Sequence, residues 1–193
     1  MRWYRAAAAQ GVADAQSNLG VCYRNGTGVD QDNVEAVRWY RAAAEQGAAV
    51  AQCNLGVCYR NGTGVAQGVV EAVRWFRAAA EQGHAGAQFN LGAMHAFGQG
   101  VPMDYAAAAK WWKLAADQGQ AEAITSLPLA LALLFPPGTA VELVGLQAAS
   151  FNGKRGVVAE GDAAVGRVVV LLDGHAKGKS FSFSNLQALV VVE

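Results

Sequence analysis

The twelve residues NLGVCYRNGTGV occur twice without a change, at 18–29 and again at 54–65. The copies are 36 positions apart, and the stretches 11–46 and 47–82 that contain them are identical at 29 of 36 positions. A fixed period of this length indicates a repeat architecture, in which every unit presents the same surface to its neighbour. Because a catalytic site needs its groups only once, the duplication favours a stacked structure over an enzyme.

The period continues beyond these two copies. Tryptophan recurs at the same step, at Trp3, Trp39, Trp75 and Trp111. We predict three whole modules with a half module at each end: the whole modules are 11–46, 47–82 and 83–118, and the half modules are 1–10 and 119–135. Since the first half module is a second helix with no first helix before it, we expect either a longer parent protein or a truncated gene.

Each whole module is expected to form two helices. Apolar residues at helical spacing around Leu19 predict a first helix over about 13–25, and Gly26 can end it in the left-handed conformation. The segment DNVE at 32–35 predicts a capping box at the start of the second helix, in which Asp32 and Glu35 each bind a backbone N–H group. The core face predicted for the second helix comprises Ala36, Trp39, Tyr40 and Ala43, with the tryptophans filling gaps between layers.

The segments AQSNLGVCYRNGTGVDQD and EAVRWYRAAAEQG resemble the Sel-one-like repeat family, over about residues 1–127. Members of that family are α/α superhelical solenoids related to tetratricopeptide repeats. The resemblance implies a right-handed solenoid that serves as an adaptor or scaffold in protein complexes. Some bacterial relatives carry a cysteine pair in every repeat, and this chain lacks that pairing.

In tetratricopeptide-like stacks the first helices line the concave face, so the resemblance implies a partner-binding groove there. We expect an apolar floor with Arg24 and Arg60 on one rim, suited to a peptide or protein with an acidic residue, because arginine binds carboxylates through two parallel hydrogen bonds. The alternative is that both arginines are solvated helix ends. The predicted partner-binding residues are Asp14, Ser17, Val21, Arg24, Val50, Cys53, Val57, Arg60 and Phe89, with Gly86, Ala93 and Ala96 completing the third module.

Two further polar series follow the period. Asn18, Asn54 and Asn90 lie beside the core leucines, where we expect their side chains to hold the NGTG loops by hydrogen bonds. Arginines and lysines recur on the second helices, three residues after Glu35 and Glu71 in the first two modules. That spacing is typical of helical charge pairs, so we interpret the basic series as a solvated surface and not as a phosphate or membrane site.

The period stops at PPG, residues 136–138, where the composition shifts to valine, glycine and phenylalanine. Alternation in TAVELVG predicts a strand over 139–145, and four more short strands follow. The segments VGLQAASFNGKRGVV and GRVVVLLD resemble SH3-like barrels of the KOW type. The predicted fold class is therefore α+β multidomain, with a helical solenoid over 1–135 and a small five-stranded all-β SH3-like barrel over 136–193.

Charge and motif content limit the function classes. The chain has 15 basic and 15 acidic side chains, and this balance argues against nucleic-acid binding, which usually needs a basic excess. A nucleic-acid or ribosome-associated module acting through the barrel is the alternative to an adaptor. His84, His95 and His175 lack metal-ligand spacing, and no nucleophile motif is present. We therefore predict no enzyme activity, no cofactor and no metal.

The cysteines and the apolar runs bear on location. Cys22, Cys53 and Cys58 are placed too far apart on helices to bridge easily, which predicts reduced thiols. No signal peptide is visible, and the longest apolar run, at 127–135, is too short to span a bilayer. These features predict a cytoplasmic location without membrane insertion.

Overall fold

The computed structural model describes residues 2–134, 140–143, 155–162, 167–172, 179–182 and 186–187. It divides into two compact units, Met1–Gln120 and Ala121–Glu193. In the first unit the helices are α1 (Arg2–Ala9), α2 (Ala13–Asn25), α3 (Asn33–Glu45), α4 (Ala49–Asn61), α5 (Val69–Glu81), α6 (Ala85–Ala96) and α7 (Tyr105–Ala116). The second unit begins with α8 (Ala121–Leu134). The solenoid boundary predicted at residue 135 stays a prediction.

The first helices of the first two whole modules end as the sequence predicts. Gly26 has φ 69° and its N–H donates to the Cys22 carbonyl, and Gly62 repeats this arrangement with φ 69°. A left-handed residue here is favourable for glycine because it has no Cβ to clash. Gly64, with φ 71°, is restricted further, because a Cβ there would overlap the backbone of Asn33 and Val34 in the preceding module. The loop backbone thus packs against the neighbouring repeat.

The start of α3 confirms half of the predicted capping box. The Asp32 carboxylate accepts hydrogen bonds from the N–H groups of Val34 at 2.9 Å and Glu35 at 3.0 Å. The other half of the prediction is wrong. The N–H of Asp32 donates to the Tyr23 carbonyl at 2.9 Å, so the Glu35 carboxylate has no donor to cap and pairs with Arg38 at 3.1 Å instead.

An aromatic ring lies on a helical glycine inside every whole module. Tyr40 of α3 is fully buried, and a Cβ on Gly20 of α2 would come within 2.6 Å of its ring. The Tyr40 hydroxyl makes no hydrogen bond, which explains why phenylalanine can replace it in the next module. In the other two modules, a Cβ on Gly56 would lie 2.7 Å from the Phe76 ring, and a Cβ on Gly92 would lie 2.5 Å from the Trp112 ring.

The repeating tryptophans occupy matching positions, but they are not the most buried aromatic residues. Trp39 is half-buried and packs against a core of Ala8, Ala15 and Leu19 from the two preceding helices. Trp75 and Trp111 pack in the same way against the cores one and two modules further on. The predicted role of tryptophan between layers is therefore confirmed, whereas the residue after it, such as Tyr40, is the fully buried one.

Buried glutamines link three consecutive helices in every module. Gln52 of α4 is 6% exposed. Its amide nitrogen donates to the Ala44 carbonyl of α3 at 3.2 Å, and its amide oxygen accepts from Gln82 after α5 at 2.8 Å. This glutamine ladder has two further members: Gln16, which binds Ala8 and Gln46, and Gln88, which binds Ala80 and Gln118.

The described strands of the second unit form one antiparallel sheet. The strands are β1 (Ala140–Leu143), β2 (Arg155–Asp162), β3 (Arg167–Leu172), β4 (Lys179–Ser182) and β5 (Leu186–Gln187), in the order β4-β3-β2-β1-β5. The register between β2 and β3 shifts between Val158 and Glu160. Much of the segment that resembles KOW domains, including 144–154, lies outside the described residues, so the SH3-like barrel stays a prediction.

We expect Gly56→Ala to lower the free energy of unfolding by about 1–3 kcal/mol, because the new Cβ would overlap the Phe76 ring. Urea denaturation followed by circular dichroism measures the change. Gly86→Ala is the matched control: its Cβ would first meet the His84 side chain at 3.3 Å, and alanine gains up to about 1 kcal/mol of helix propensity. Equal losses at both positions would contradict the ring-on-glycine packing.

We expect Gln52→Met to lower the free energy of unfolding by about 1–3 kcal/mol, since the Ala44 carbonyl loses its buried donor while side-chain volume is kept. Thermal unfolding provides the readout. Gln67→Met is the control, because Gln67 donates to a carbonyl at an exposed position, and its replacement should cost less than about 0.5 kcal/mol. If Gln67→Met lowered the free energy of unfolding as much as Gln52→Met, burial of the glutamine ladder would contribute nothing to stability.

Candidate functional site

The partner-binding residues predicted on α2, α4 and α6, here called the first-helix row, differ in exposure. Ser17 and Cys53 are only 5% and 8% exposed, and Cys53 packs into the core that contains Phe76 and Met94. These two side chains therefore belong to the interior and offer little surface to a partner. Asp14 and Val50 are exposed, and Val21, Arg24, Val57, Arg60 and Phe89 are partly buried.

Arg24 connects its own module to the next one. Its Nη1 donates to Asn54 Oδ1 of α4 at 3.4 Å, and its Nε donates to Asn25 Oδ1 at 3.3 Å. The Arg24 carbonyl accepts from the side chain of Gln31 at 2.8 Å. Arg60 repeats the arrangement with Asn90, Asn61 and Gln67. The two arginines are therefore ordered groups that join first helices of successive modules.

The asparagine series has a different role from the one predicted. Asn54 and Asn90 accept hydrogen bonds from Arg24 and Arg60 of the preceding module, and Asn90 also donates to the Gly86 carbonyl at 2.7 Å. The prediction that they hold the NGTG loops is wrong for these two residues, because their amide oxygens bind arginines of the preceding module, and it stays a prediction for Asn18. We call each Arg–Asn pair between modules a rung.

The hydrogen-bond partners of both rung arginines are neutral amides, and the Arg60 guanidinium carbon also lies 5.7 Å from the centre of the Phe76 ring. Among the residues that the structure describes, the ion pairs are Glu35 with Arg38 and Lys113 with Asp117, and neither involves a rung arginine. A guanidinium carries five N–H donors, of which Arg24 and Arg60 each use two in the bonds above. Each rung thus retains positive charge and donors that a carboxylate could use.

The basic series on the second helices is paired only in part. Arg38 forms the predicted ion pair with Glu35. Arg74 lies instead with its guanidinium carbon 4.8 Å from the centre of the Trp75 ring, and Arg41 donates to the Tyr59 hydroxyl at 2.9 Å. Neighbouring aromatic groups therefore take the place of some predicted acidic partners.

A shallow depression lies beside the second rung. Its volume is about 600 Å³, and its lining includes Arg60, Val69, Ala93, Phe97 and Gln99. Phe97 is 69% exposed. This residue is not among the predicted partner-binding residues, although the repeat shows an aromatic residue in place of Asn25 and Asn61 at the third occurrence.

Burial controls the chemistry of the cysteines. It raises the pKa of the Cys53 thiol to about 11, against a smaller lowering by Arg60. It also raises the pKa of Cys58, with Arg24 opposing the shift. All three cysteines are free. Because the thiolate is the reactive form, the two buried cysteines are unreactive packing residues near neutral pH.

The histidines do not join cysteines or acidic residues in a metal site within the described part of the chain. Burial lowers the pKa of His95. The negative charge of Asp104 opposes this shift, and the positive charge of Arg77 adds to it. No group of three or more His, Cys, Asp or Glu side chains suited to a metal ion occurs among the described residues. Within the same ranges, no helix has both the length and the apolar character needed to cross a membrane.

We expect native Cys53 to react with iodoacetamide much more slowly than the partly exposed Cys22 at pH 8. With a pKa of about 11, the thiolate fraction of Cys53 is roughly one in a thousand at that pH, and its rate should rise about tenfold per pH unit below the pKa. Peptide mass spectrometry measures the labelling, with urea-unfolded protein as the control in which the difference disappears. Equal native rates would place Cys53 on an accessible surface.

Comparisons with known proteins agree with the helical repeats. A Sel1 repeat family model matches residues 1–12, 13–47, 49–84 and 85–120. A search of curated proteins gives no match.

Two solved structures are also similar to this chain. A Sel1 repeat protein from Oxalobacter formigenes is 41% identical with a TM-score of 0.61, covering 64% of this chain and 51% of that one. The protein c5321, a protective antigen present in uropathogenic Escherichia coli strains displaying an SLR fold, is 44% identical with a TM-score of 0.67, covering 69% of this chain and 28% of that one. The chain spans about half the length of the first relative and less than a third of the second. The repeated helix pairs and the family match together establish that this chain belongs to the Sel1 repeat family.

Proposed function

We propose that the chain is a non-enzymatic adaptor that binds a peptide or protein segment through its Sel1 repeats. Proteins built from such repeats typically act as protein-interaction scaffolds, and the family match supports the same role here. Stacked repeats create an extended surface on which equivalent side chains recur at regular intervals. A linear segment of a partner could therefore contact several modules at once.

The observation that carries this proposal is the pair of rungs. Arg24 and Arg60 are held in equivalent positions by neutral amides, and neither has a carboxylate partner among the described residues. Fixed guanidinium groups with free N–H donors lose little conformational freedom when they bind a carboxylate. We therefore assign acidic side chains of the partner to the rungs.

The binding surface is the concave side of the solenoid, lined by the exposed and partly buried members of the first-helix row. Asp14 and Val50 supply exposed surface at the start of α2 and α4, and Val57 supplies apolar surface between them and the rungs. The buried positions Ser17 and Cys53 support this surface from beneath. The raised pKa of Cys53 supports a packing role for this thiol and not a nucleophilic one.

We further propose that the second unit is an SH3-like barrel that follows a solenoid ending at residue 135. The support is its strand order, in which β1 pairs with β2 on one side and with the last strand, β5, on the other. This order leaves β4 and β5 as the edge strands, and closure into a barrel would bring these two strands together. A crystal structure of the whole chain with a flat, open sheet would contradict this assignment.

Selection from a displayed library of random short peptides tests the adaptor proposal. We expect wild-type protein to enrich peptides that contain aspartate or glutamate. Arg24→Gln combined with Arg60→Gln should weaken their binding at least about tenfold, because charge-assisted hydrogen bonds contribute about 1.5–3 kcal/mol each. Isothermal titration calorimetry measures the affinities.

The matched control for this experiment combines Arg38→Gln with Arg74→Gln, which removes the same charge from the second helices. This variant should bind the selected peptides as the wild type does. Thermal unfolding of both variants checks that loss of the rungs has not melted the stack. Equal weakening by the two double variants, or selection of peptides without acidic residues, would rule out the rungs as the binding site.

A further inference from the structure

The loop of the third module differs chemically from the loops of the first two. In the second module a polar set surrounds the helix end: Arg60 and Asn61 bind each other, and Gln67 donates to the Arg60 carbonyl. Arg24, Asn25 and Gln31 form the same set in the first module. The equivalent residues of the third module are Ala96, Phe97 and Met103.

The backbone of this loop is nevertheless the same. Gly98 and Gly100 have φ values of 64° and 70°, close to the 69° and 71° of Gly62 and Gly64. The N–H of Gln99 donates to the Met94 carbonyl at 2.9 Å, as Thr63 does to Cys58 at 3.0 Å. Because two modules adopt this loop with polar side chains, the apolar residues of the third module are not required for folding.

Both apolar side chains are largely exposed to solvent. Phe97 is 69% exposed and Met103 is 62% exposed. Met103 lies beside Gly98, since a Cβ on Gly98 would be 3.4 Å from the Cβ of Met103, and Gly98 lines the same depression as Phe97. Large apolar side chains at this level of exposure contribute favourable free energy when a ligand removes them from water. The Phe97–Met103 patch is therefore available to a partner.

Arg60 places a positive charge beside the patch. Phe97 and Arg60 both line the depression of about 600 Å³ described above, and Arg60 has no carboxylate partner among the described residues. A depression of this size lies within the range of about 300–1,000 Å³ that is typical of small binding sites. A stable dimer buries about 800 Å² on each partner, far more than two side chains and a guanidinium supply.

We propose that Phe97, Met103 and Arg60 form a specificity pocket for a peptide that carries a large apolar side chain next to an aspartate or glutamate. The apolar side chain lies against Phe97 and Met103, and the carboxylate binds the free N–H donors of Arg60. This inference rests on the proposed adaptor function and adds a sequence requirement to the partner. The third module thereby sets which acidic segments the solenoid retains.

The test uses the full chain and the peptides selected as described above. Phe97→Asn combined with Met103→Gln introduces the residues that the other two modules already carry, so the fold should be kept, and matching melting curves verify this. We expect affinity for the selected peptides to fall tenfold or more in this variant. Peptides whose apolar residue is replaced by serine should bind wild type and variant equally.

Three outcomes would overturn the inference. If the wild type enriches no peptides, the adaptor proposal fails and the pocket fails with it. If it enriches acidic peptides that bind the Phe97→Asn, Met103→Gln variant equally well, the pocket alone is wrong. If sedimentation shows a wild-type dimer that dissociates in this variant, the patch binds a second copy of the chain and not a peptide.

Discussion

Contact between an aromatic ring and a helical glycine determines how closely the two helices of each module approach. Tyr40, Phe76 and Trp112 rest on Gly20, Gly56 and Gly92, where a Cβ would overlap the ring. Close approach buries the ring and brings the alanine faces of the two helices into contact. For side chains as small as alanine, this close packing is the largest favourable contribution to folding. The spacing within every module follows from this single contact.

The glutamine ladder determines how modules stack. Burying an amide without hydrogen-bond partners costs folding free energy. Each ladder glutamine avoids this cost, because it donates to the helix before it and accepts from the helix after it. A shift of one module along its neighbour would leave these amides unpaired. Apolar packing is not directional, so the polar ladder supplies the register that alanine contacts lack.

The period, the helix ends at Gly26 and Gly62, and the packing of Trp39 and Trp75 between layers could be predicted from the sequence, because these features depend on local spacing. It did not distinguish Trp39 from Tyr40 as the most buried ring, since adjacent helical positions differ by only about 100° and periodicity cannot show which one meets a glycine. The partners of Asn54 were also beyond prediction, because Arg24 lies 30 residues away. A visible signal was missed at Gln52, which recurs every 36 residues although glutamine is usually a surface residue.

The first two whole modules are nearly identical, whereas the third keeps only 15 of the 36 residues of the second. Positions that form the stack, such as Leu91 and Gly92, keep the same residue in every whole module because each layer must fit the next. Phe97 is exposed on a loop whose backbone matches that of the other modules, so neither packing nor loop geometry requires an aromatic ring there. An exposed ring in water adds no stability to the fold and raises the tendency to associate. Its presence fits the proposed peptide pocket, in which Arg60 lines the same depression and offers free N–H donors to a carboxylate.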